Sequence, residues 1–332
     1  MIPSRSHMPA PMGAAPGRMS IANITKGRQE RPLRVLVYGT AGVGKTTFAA
    51  DAPAPIFLCS EDGTSHMDVA RFPEPRAWSD VLSALASLKE EEHPFRTVVI
   101  DSLDWLEPIC WQHVCEQNGK RSIEQFEYGK GYVFALDQWR TMLARLDLLT
   151  RVRKMNVVLI GHAKVARIDD LQAGSYDRYL MKLHQKASDL IIEWVDAALF
   201  ARHELHTQGD PRRGKVRGIS SGARLVHTTW TAAFDAKNRF DLPATMPLDW
   251  QAFASACKAE KPIDIEEARA AIRELLPRAP QSKREAIEKA MNEWAGDNAA
   301  RMARVLDKLR GIVATEGLAE PAASQAGNGE AS

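Results

Sequence analysis

The stretch Gly39-Thr-Ala-Gly-Val-Gly-Lys45-Thr46 matches the pattern G-x-x-x-x-G-K-[ST] at every fixed position. It follows the apolar run 35–38 and precedes the amphipathic segment 45–51, so the pattern has a predicted strand before it and a predicted helix after it. Glycines let successive backbone N–H groups point at phosphate oxygens, and the start of the following helix adds its dipole. The stretch therefore predicts a phosphate-binding loop.

The side chains of this loop predict which ligands it binds. Lys45 would reach the β- and γ-phosphates, and the Thr46 hydroxyl would bind Mg²⁺. ATP and Mg²⁺ are therefore the predicted cofactors. The residues assigned to nucleotide binding are Gly39, Thr40, Ala41, Gly42, Val43, Gly44, Lys45, Thr46 and Thr47.

Short apolar runs predict the strands of one sheet, and they alternate with amphipathic helical segments. This order is typical of an α/β fold whose mainly parallel sheet is covered by helices on both faces. Two later runs would form a hairpin that extends the sheet in the antiparallel sense. The first runs are 35–38, 55–58, 97–100 and 156–160, the helical segments are 45–51, 78–92, 104–116 and 133–153, and the later runs are 197–201 and 223–230. Between them lie a polar stretch, 163–180, and a helix-like segment, 181–195.

Composition divides the chain into a core and looser parts. Residues 1–30 mix Pro, Gly, Ser, Met and Arg without a period and predict a disordered basic arm, whereas 31–255 carry the core. Residues 256–314 have helical periodicity for about three helices. The end of the chain, 315–332, is rich in Ala, Gly, Ser and Glu and predicts a disordered acidic tail.

The net charge of the whole chain does not indicate a nucleic-acid-binding protein. Lys+Arg 44 against Asp+Glu 42 gives a net charge of +2, so any DNA-binding surface has to be a local patch. No run approaches the roughly 18 apolar residues of a spanning helix, and the first residues lack a continuous apolar signal segment, so we expect a cytoplasmic protein without a membrane partner. Four cysteines without a CxxC pair indicate neither a disulfide framework nor a zinc site.

Two carboxylates follow predicted strands. Asp101 ends the run 97–100, where P-loop NTPases carry an Asp that holds the Mg²⁺ shell. Glu61 lies just past the run 55–58, and we expect it to activate the attacking water if that strand neighbours the strand of the P-loop; the alternative is a solvated loop acid. Asp104 is interpreted as a helix-start residue.

His162 follows the run 156–160 in the same way. A polar side chain at this edge would hydrogen-bond the γ-phosphate and report its loss to the next segment. The alternative is a structural histidine whose hydrogen bonds are satisfied within the fold.

An ordered set of motifs covers about 31–250, over two thirds of the chain. The P-loop and Asp101 occur in many NTPases, whereas the whole set in this order is more specific. The further motifs are Phe48-Ala-Ala-Asp-Ala-Pro-Ala-Pro55, Ser60-Glu61-Asp62-Gly63, Val99-Ile-Asp101-Ser102, Gly161-His162-Ala-Lys164 and Asp235-Ala-Lys237-Asn238-Arg239-Phe-Asp-Leu-Pro243.

This set resembles the RecA-like ATPase core, specifically the phage-encoded AAA-family nucleotide-binding proteins that include RecA-like single-strand annealing proteins. The resemblance implies that Glu61 is the catalytic glutamate and that His162 stands where RecA has a glutamine. It also implies that Lys237 and Arg239 reach across a subunit interface to a neighbour's γ-phosphate, and hence that the chain forms homo-oligomers. From the residues alone, Lys237 and Arg239 are better explained as an ordinary basic turn before a proline, and the family position is what favours the role at an interface.

Two basic segments are candidates for binding single-stranded DNA. In a RecA-like fold the segment after His162 corresponds to a mobile DNA-binding loop, and its cations alternate with Tyr176 and Tyr179, which suits phosphate contacts combined with base stacking. The turn 212–217 is a denser cluster, for which a solvated hairpin tip is the alternative. The candidates are Lys164, Arg167, Arg178, Lys182, Arg212, Arg213, Lys215 and Arg217.

These predictions define one expected function and its competitors. We expect a RecA-like P-loop ATPase that acts on single-stranded DNA in phage-type recombination, annealing or replication, in a phage-infected or prophage-bearing bacterial cell. A single-strand-binding protein or a replication protein is a candidate partner. The competing hypotheses are a nucleotide-gated DNA-binding or annealing module with little hydrolysis, and a small-molecule P-loop kinase.

Overall fold

The computed structural model describes most of the chain between residues 20 and 316. The predicted basic arm lies outside the described residues except for 20–25, and the predicted acidic tail lies outside them except for 315–316. The described residues are 20–25, 31–61, 63–170, 174–208, 217–258, 264–296 and 298–316.

The centre of the fold is a ten-stranded sheet. Its strands are β1 (Arg34–Gly39), β2 (Pro55–Cys59), β3 (Ala70–Arg71), β4 (Thr97–Asp101), β5 (Asn156–Asp170), β6 (Gly174–Met181), β7 (Ala197–Gln208), β8 (Arg217–His227), β9 (Lys237–Asn238) and β10 (Thr245–Pro247). They lie in the order β10-β8-β7-β1-β5-β4-β2-β3, with β6 paired to β5 and β9 paired to β7.

The middle of this sheet is parallel, and its β7 side is extended by antiparallel strands. β1 pairs in parallel with both β5 and β7, and β4 pairs in parallel with β5 and β2. β8 and β10 continue the sheet in the antiparallel sense. The structure confirms the predicted α/β fold with a mainly parallel sheet and an antiparallel extension.

Alternate residues of β1 explain why its sequence is apolar throughout. Leu36 and Tyr38 join the core cluster under α2 (Trp78–Glu90), α3 (Leu103–Gln117) and α4 (Lys130–Leu148). Val35 and Val37 are equally buried but belong to the opposite face, because side chains alternate along a strand. A strand buried on both faces has no polar alternation, which is the pattern seen in the sequence.

Aromatic contacts hold helices on the sheet. Trp78 of α2 packs edge-on against Trp139 of α4 at 5.4 Å between ring centroids. Phe48 of α1 (Lys45–Ala50) packs against Trp250 and Phe253, which belong to α6 (Trp250–Lys258), at 5.4 and 5.9 Å. The short helix that follows the P-loop is therefore anchored in an aromatic cluster.

The chain divides into two compact units between Phe253 and Ala254. The second unit contains α7 (Ile265–Leu275), α8 (Gln281–Lys289) with a π-helical turn (Ala290–Ala295), and α9 (Ala299–Glu316). Ala268, Ile272, Met302 and Leu309 lie in its own buried cluster. The predicted C-terminal helical region is therefore present and has a core of its own.

The polar stretch 163–180 forms a β-hairpin, whereas the resemblance implied a mobile loop. β5 continues through it to Asp170 and pairs with β6 as an antiparallel hairpin, from Ala163 opposite Met181 to Asp170 opposite Gly174. Exposed side chains such as those of Lys164 and Arg167 make these arms less apolar than the buried strands. The next helix, α5 (Gln185–Trp194), starts correspondingly later than predicted.

Within the described ranges, no helix combines the length and the apolar character that a membrane crossing requires.

Candidate functional site

The P-loop lies at the carboxyl end of β1, in the middle of the sheet. Gly39 lies between Ala201 of β7 and His162 of β5 in the strand register. A Cβ atom at Gly39 would lie 1.9 Å from the carbonyl oxygen of Ala201, so only glycine allows β1 and β7 to approach this closely. Gly44 has a φ of 100°, in the left-handed region that favours glycine. These two glycines therefore set the path of the loop between strand and helix.

Lys45 is the buried cation of this loop. Only 5% of its surface is exposed, and its Nζ donates hydrogen bonds to the carbonyl oxygens of Thr40 at 3.0 Å and Gly39 at 3.4 Å. Burial lowers the pKa of Lys45, while the charges of Asp101 and other nearby carboxylates oppose that shift. In the part of the chain that the structure describes, this ammonium forms no ion pair, so it is a buried cation that a phosphate oxygen would neutralise.

Thr46 and Asp101 present two adjacent oxygen atoms beside Lys45. The Thr46 hydroxyl donates to Asp101 Oδ2 at 2.8 Å, and Asp101 is 3% exposed. Burial raises the pKa of Asp101; the Thr46 hydrogen bond opposes this shift and the charge of Glu61 adds to it. Neighbouring hydroxyl and carboxylate oxygens are the hard ligands that Mg²⁺ prefers. The residues present therefore fit a magnesium nucleotide.

Glu61 reaches this site from a more distant strand than expected. β2 does not neighbour β1, because β4 and β5 lie between them, but Cys59 pairs with Asp101, and Glu61 follows two residues later. Glu61 Oε1 accepts a hydrogen bond from the Ser102 hydroxyl at 3.2 Å. The sequence motifs include Ser102 but gave it no role, although its position directly after Asp101 is a usable signal.

Ser60 ties the two strand ends together. Its N–H donates to the carbonyl oxygen of Asp101 at 2.8 Å, and its hydroxyl donates to the carbonyl oxygen of Ser102 at 2.9 Å. The Ser102 N–H donates to Ser60 Oγ at 3.1 Å. These bonds fix the positions of Glu61 and Asp101 relative to each other.

His162 is oriented by a carboxylate that the sequence analysis interpreted only as a helix-start residue. Asp104, in the first turn of α3, accepts from the His162 backbone N–H at 3.1 Å and lies 3.1 and 3.2 Å from its Nδ1. Burial raises the pKa of Asp104, but the hydrogen bonds from His162 outweigh it and the net pKa is lowered. Lys182 Nζ lies 4.0 Å from the same carboxylate. The His162 ring therefore has a fixed orientation beside the P-loop.

Lys237 and Arg239 lie away from the P-loop of their own chain. β9 pairs with the beginning of β7, at Ala197 and Ala198, whereas the P-loop lies opposite Ala201. Lys237 Nζ donates to the last carbonyl oxygens of α5, at 2.9 Å to Ile192 and 2.6 Å to Glu193.

Arg239 is held by a buried carboxylate. Its Nη1 donates to Asp196 Oδ1 at 3.2 Å, and Asp196 also pairs with Arg34 and Arg31. Asp196 is fully buried, while the Arg239 side chain is 48% exposed. In this conformation Arg239 and Lys237 are bonded within their own chain, and their assigned action on a neighbour stays a prediction.

Some of the DNA-binding candidates contact other side chains of the same chain, and others are exposed to solvent. Arg178 is paired with Asp235, lies 5.4 Å over the Trp230 ring, and has a side chain that is 13% exposed. Tyr179 packs on Phe200 at 5.0 Å. Both side chains therefore stabilise the root of the hairpin.

The remaining cations of the hairpin face solvent. Lys164, Arg167 and Lys182 are exposed on the arms of β5 and β6 or directly after them. From the second cluster, only the backbone of Arg217 is described, at the start of β8. Arg212, Arg213 and Lys215 lie outside the described residues.

Comparison with known proteins gives a family and similarity to solved structures. The family model for an AAA domain matches residues 31–240. A solved structure titled "Crystal structure of the RadB recombinase" is 14% identical, covers 59% of this chain and 80% of that chain, and has a TM-score of 0.35. A search of curated proteins finds no match. At this level of similarity, no role of the RadB recombinase is transferred to this chain.

Proposed function

The chain belongs to the AAA domain family, and from this premise we propose that it is a RecA-like P-loop ATPase acting on single-stranded DNA. Its proposed setting is recombination, annealing or replication in the cytoplasm of a phage-infected or prophage-bearing bacterium. The observation that carries the ATPase proposal is the convergence of Lys45 with the Thr46–Asp101 pair at the carboxyl edge of the sheet. Ligands of open α/β sheets bind at this edge.

Lys45, Thr46 and Asp101 have separate roles in the proposed hydrolysis. Lys45 binds the phosphates and neutralises the negative charge that builds up during transfer. Thr46 and Asp101 hold Mg²⁺, which supplies further electrostatic stabilisation of the phosphate oxygens when bound.

Glu61 is the residue assigned to orient and deprotonate the attacking water. Its carboxylate is positioned by the Ser102 hydroxyl, so a second oxygen remains for the water. His162, oriented by Asp104, is the group assigned to contact the γ-phosphate. Because His162 lies on β5 and β5 continues into the hairpin, loss of that contact would act directly on the exposed cations of the hairpin.

The DNA part of the proposal rests on that hairpin. Lys164, Arg167 and Lys182 present positive charge on one supersecondary element, and Tyr176 adds an aromatic side chain. In an oligomer, Arg239 and Lys237 would leave their present partners and contact the nucleotide of a neighbouring protomer. A single-strand-binding or replication protein is the proposed further partner.

The experiment measures ATP turnover with Mg²⁺, with and without single-stranded DNA. We expect DNA-stimulated turnover in the wild type, none in Lys45→Ala, and a loss of about 10²-fold or more in Glu61→Gln with ATP binding retained. Glu74→Gln, an exposed glutamate, is the matched control and should behave as the wild type. Equal turnover in the wild type, Lys45→Ala and Glu61→Gln would contradict the assignment.

A second candidate is a nucleotide-gated annealing module with little hydrolysis. The observation that favours it is that Arg239 and Lys237 are bonded to Asp196 and to the end of α5. If they stay there in the assembled protein, no trans cation reaches the γ-phosphate and turnover is slow. Nucleotide-dependent assembly with turnover that DNA does not stimulate would select this candidate.

A further inference from the structure

Arg224 occupies a fixed position in the antiparallel extension of the sheet. On one side its residue pairs with His203 of β7. On the other side its carbonyl oxygen accepts the Leu248 N–H at 2.9 Å. Because β7 also pairs with β1, Arg224 lies two strands away from the strand that leads into the P-loop.

The side chain of Arg224 crosses this distance and contacts the P-loop. A Cβ atom built on Gly44 would lie 2.5 Å from Nη1, 3.4 Å from Cζ and 3.6 Å from Cδ of Arg224. The guanidinium therefore lies against the backbone of the loop residue that directly precedes Lys45.

This guanidinium differs from those of Arg178 and Arg239, which are paired with carboxylates. Arg178 is paired with Asp235, and Arg239 is paired with Asp196. Over the described ranges, the Arg224 guanidinium forms neither an ion pair nor a side-chain hydrogen bond, and the residue is exposed. A planar guanidinium with unused donors beside a phosphate-binding loop suits bidentate binding of phosphate oxygens.

The strand order shows which part of a nucleotide Arg224 would meet. β1 lies between β5 and β7. Asp101, Glu61 and His162, the residues assigned to Mg²⁺, to the attacking water and to the γ-phosphate, come from the β5 side. Arg224 approaches the loop from the β7 side, opposite to them.

We propose that Arg224 is a nucleotide-binding residue that contacts the diphosphate shared by ADP and ATP. This inference rests on the proposed function of the P-loop. It predicts that Arg224 contributes to the affinity for both nucleotides and does not distinguish them. The competing explanation is that its aliphatic stem only covers the glycine backbone while the head group stays in water.

The test is a calorimetric titration of the full chain with ADP and with ATP in the presence of Mg²⁺. Arg224→Ala should weaken both affinities by similar factors of about tenfold or more, the range of hydrogen bonds to charged groups. Arg224→Lys should recover part of the loss, because it keeps the charge and loses the planar fork. Arg140→Ala removes an exposed arginine of α4 that pairs with Asp137, and should leave both affinities unchanged.

The outcomes separate this inference from the proposed function. Unchanged affinities in Arg224→Ala, alongside loss of binding in Lys45→Ala, would overturn the role of Arg224 and leave the P-loop assignment intact. A loss confined to ATP would also overturn it, because it would place Arg224 at the γ-phosphate. Absence of ADP and ATP binding in the wild type would instead refute the proposed function itself.

Discussion

The variant Glu107→Gln tests how much the ionisation of a buried carboxyl group lowers the stability of the fold. The Glu107 side chain is buried in α3, and its two carboxylate oxygens accept the His184 backbone N–H at 2.9 and 3.1 Å. Burial raises the pKa of Glu107 from an ordinary 4.5 to about 7. The His184 hydrogen bond and the charge of Lys164 oppose this shift, while the charge of Asp104 adds to it.

The sign and size of the effect follow from proton linkage. Because the folded state holds its proton more tightly than the unfolded state, the ionisation of Glu107 costs stability as the pH rises from about 4.5 to about 7. A shift of this size corresponds to about 3 kcal/mol in the free energy of unfolding. Gln has the same shape and no charge, but its buried amide also needs partners. The cost of the amide is the same at both pH values, so we expect Glu107→Gln to be about 2 kcal/mol more stable than the wild type at pH 8 and about 1 kcal/mol less stable at pH 4.5.

Urea unfolding at both pH values, followed by tryptophan fluorescence, measures this difference. Trp111 and Trp139 line a small cavity together with Glu107, so their emission reports on this part of the first unit. Taking the difference between variant and wild type cancels the titration of histidines present in both proteins. Glu90→Gln, an exposed glutamate of α2, should show no such difference. The reasoning would be refuted if Glu107→Gln were less stable than the wild type at pH 8. It would also be refuted if its free energy of unfolding differed from that of the wild type by the same amount at both pH values.

Three further predictions concern the P-loop and the hairpin. Thr46→Ala removes the hydroxyl 2.8 Å from Asp101 and should lower Mg²⁺-dependent ATP turnover at least about tenfold, whereas Thr46→Ser should keep most of it. Gly39→Ala would place a methyl group 1.9 Å from the Ala201 carbonyl oxygen and should lower the free energy of unfolding by about 3 kcal/mol in a urea titration. Lys164→Ala removes an exposed cation and should reduce the slope of log affinity against log salt for single-stranded DNA by about 0.7.

Matched variants make these predictions decisive. Gly63→Ala meets no atom closer than 3.9 Å and should leave stability unchanged, so equal effects at both glycines would contradict the packing argument. Lys89→Ala, on the exposed surface of α2, should not alter the salt slope. An unaltered salt slope in Lys164→Ala would show that Lys164 does not contact DNA. Equal ATP turnover in Thr46→Ala and Thr46→Ser would show that the hydroxyl is not required.

The sequence predicts local features of the fold well because they depend on neighbouring residues. The P-loop pattern, the buried strands and the amphipathic helices each carry a local signal, and the structure contains them. The order of the strands has no such signal, so the sequence left open whether β2 neighbours β1, and in the structure β4 and β5 separate them. The half-exposed arms of the hairpin also lack the continuous apolar run of a buried strand, so the residues predict only a polar stretch there, and the loop was what the resemblance implied.

The contacts that position the site come mostly from distant parts of the chain. Asp104 meets His162 across 58 positions, and Ser102 meets Glu61 across 41. Arg224 reaches Gly44 only because β8 folds back along β7. Such pairings depend on the order and register of the strands, which cannot be predicted from the local patterns of one sequence.

The most direct test of the central claim is a titration of the wild type and Lys45→Ala with ATP, with and without Mg²⁺. The convergence of Lys45 with Thr46 and Asp101 predicts one ATP bound per chain, tighter with Mg²⁺, and no detectable binding in a folded Lys45→Ala variant. Wild-type affinity in Lys45→Ala, or no binding of ATP to the wild type, would contradict the claim that this loop is a nucleotide site.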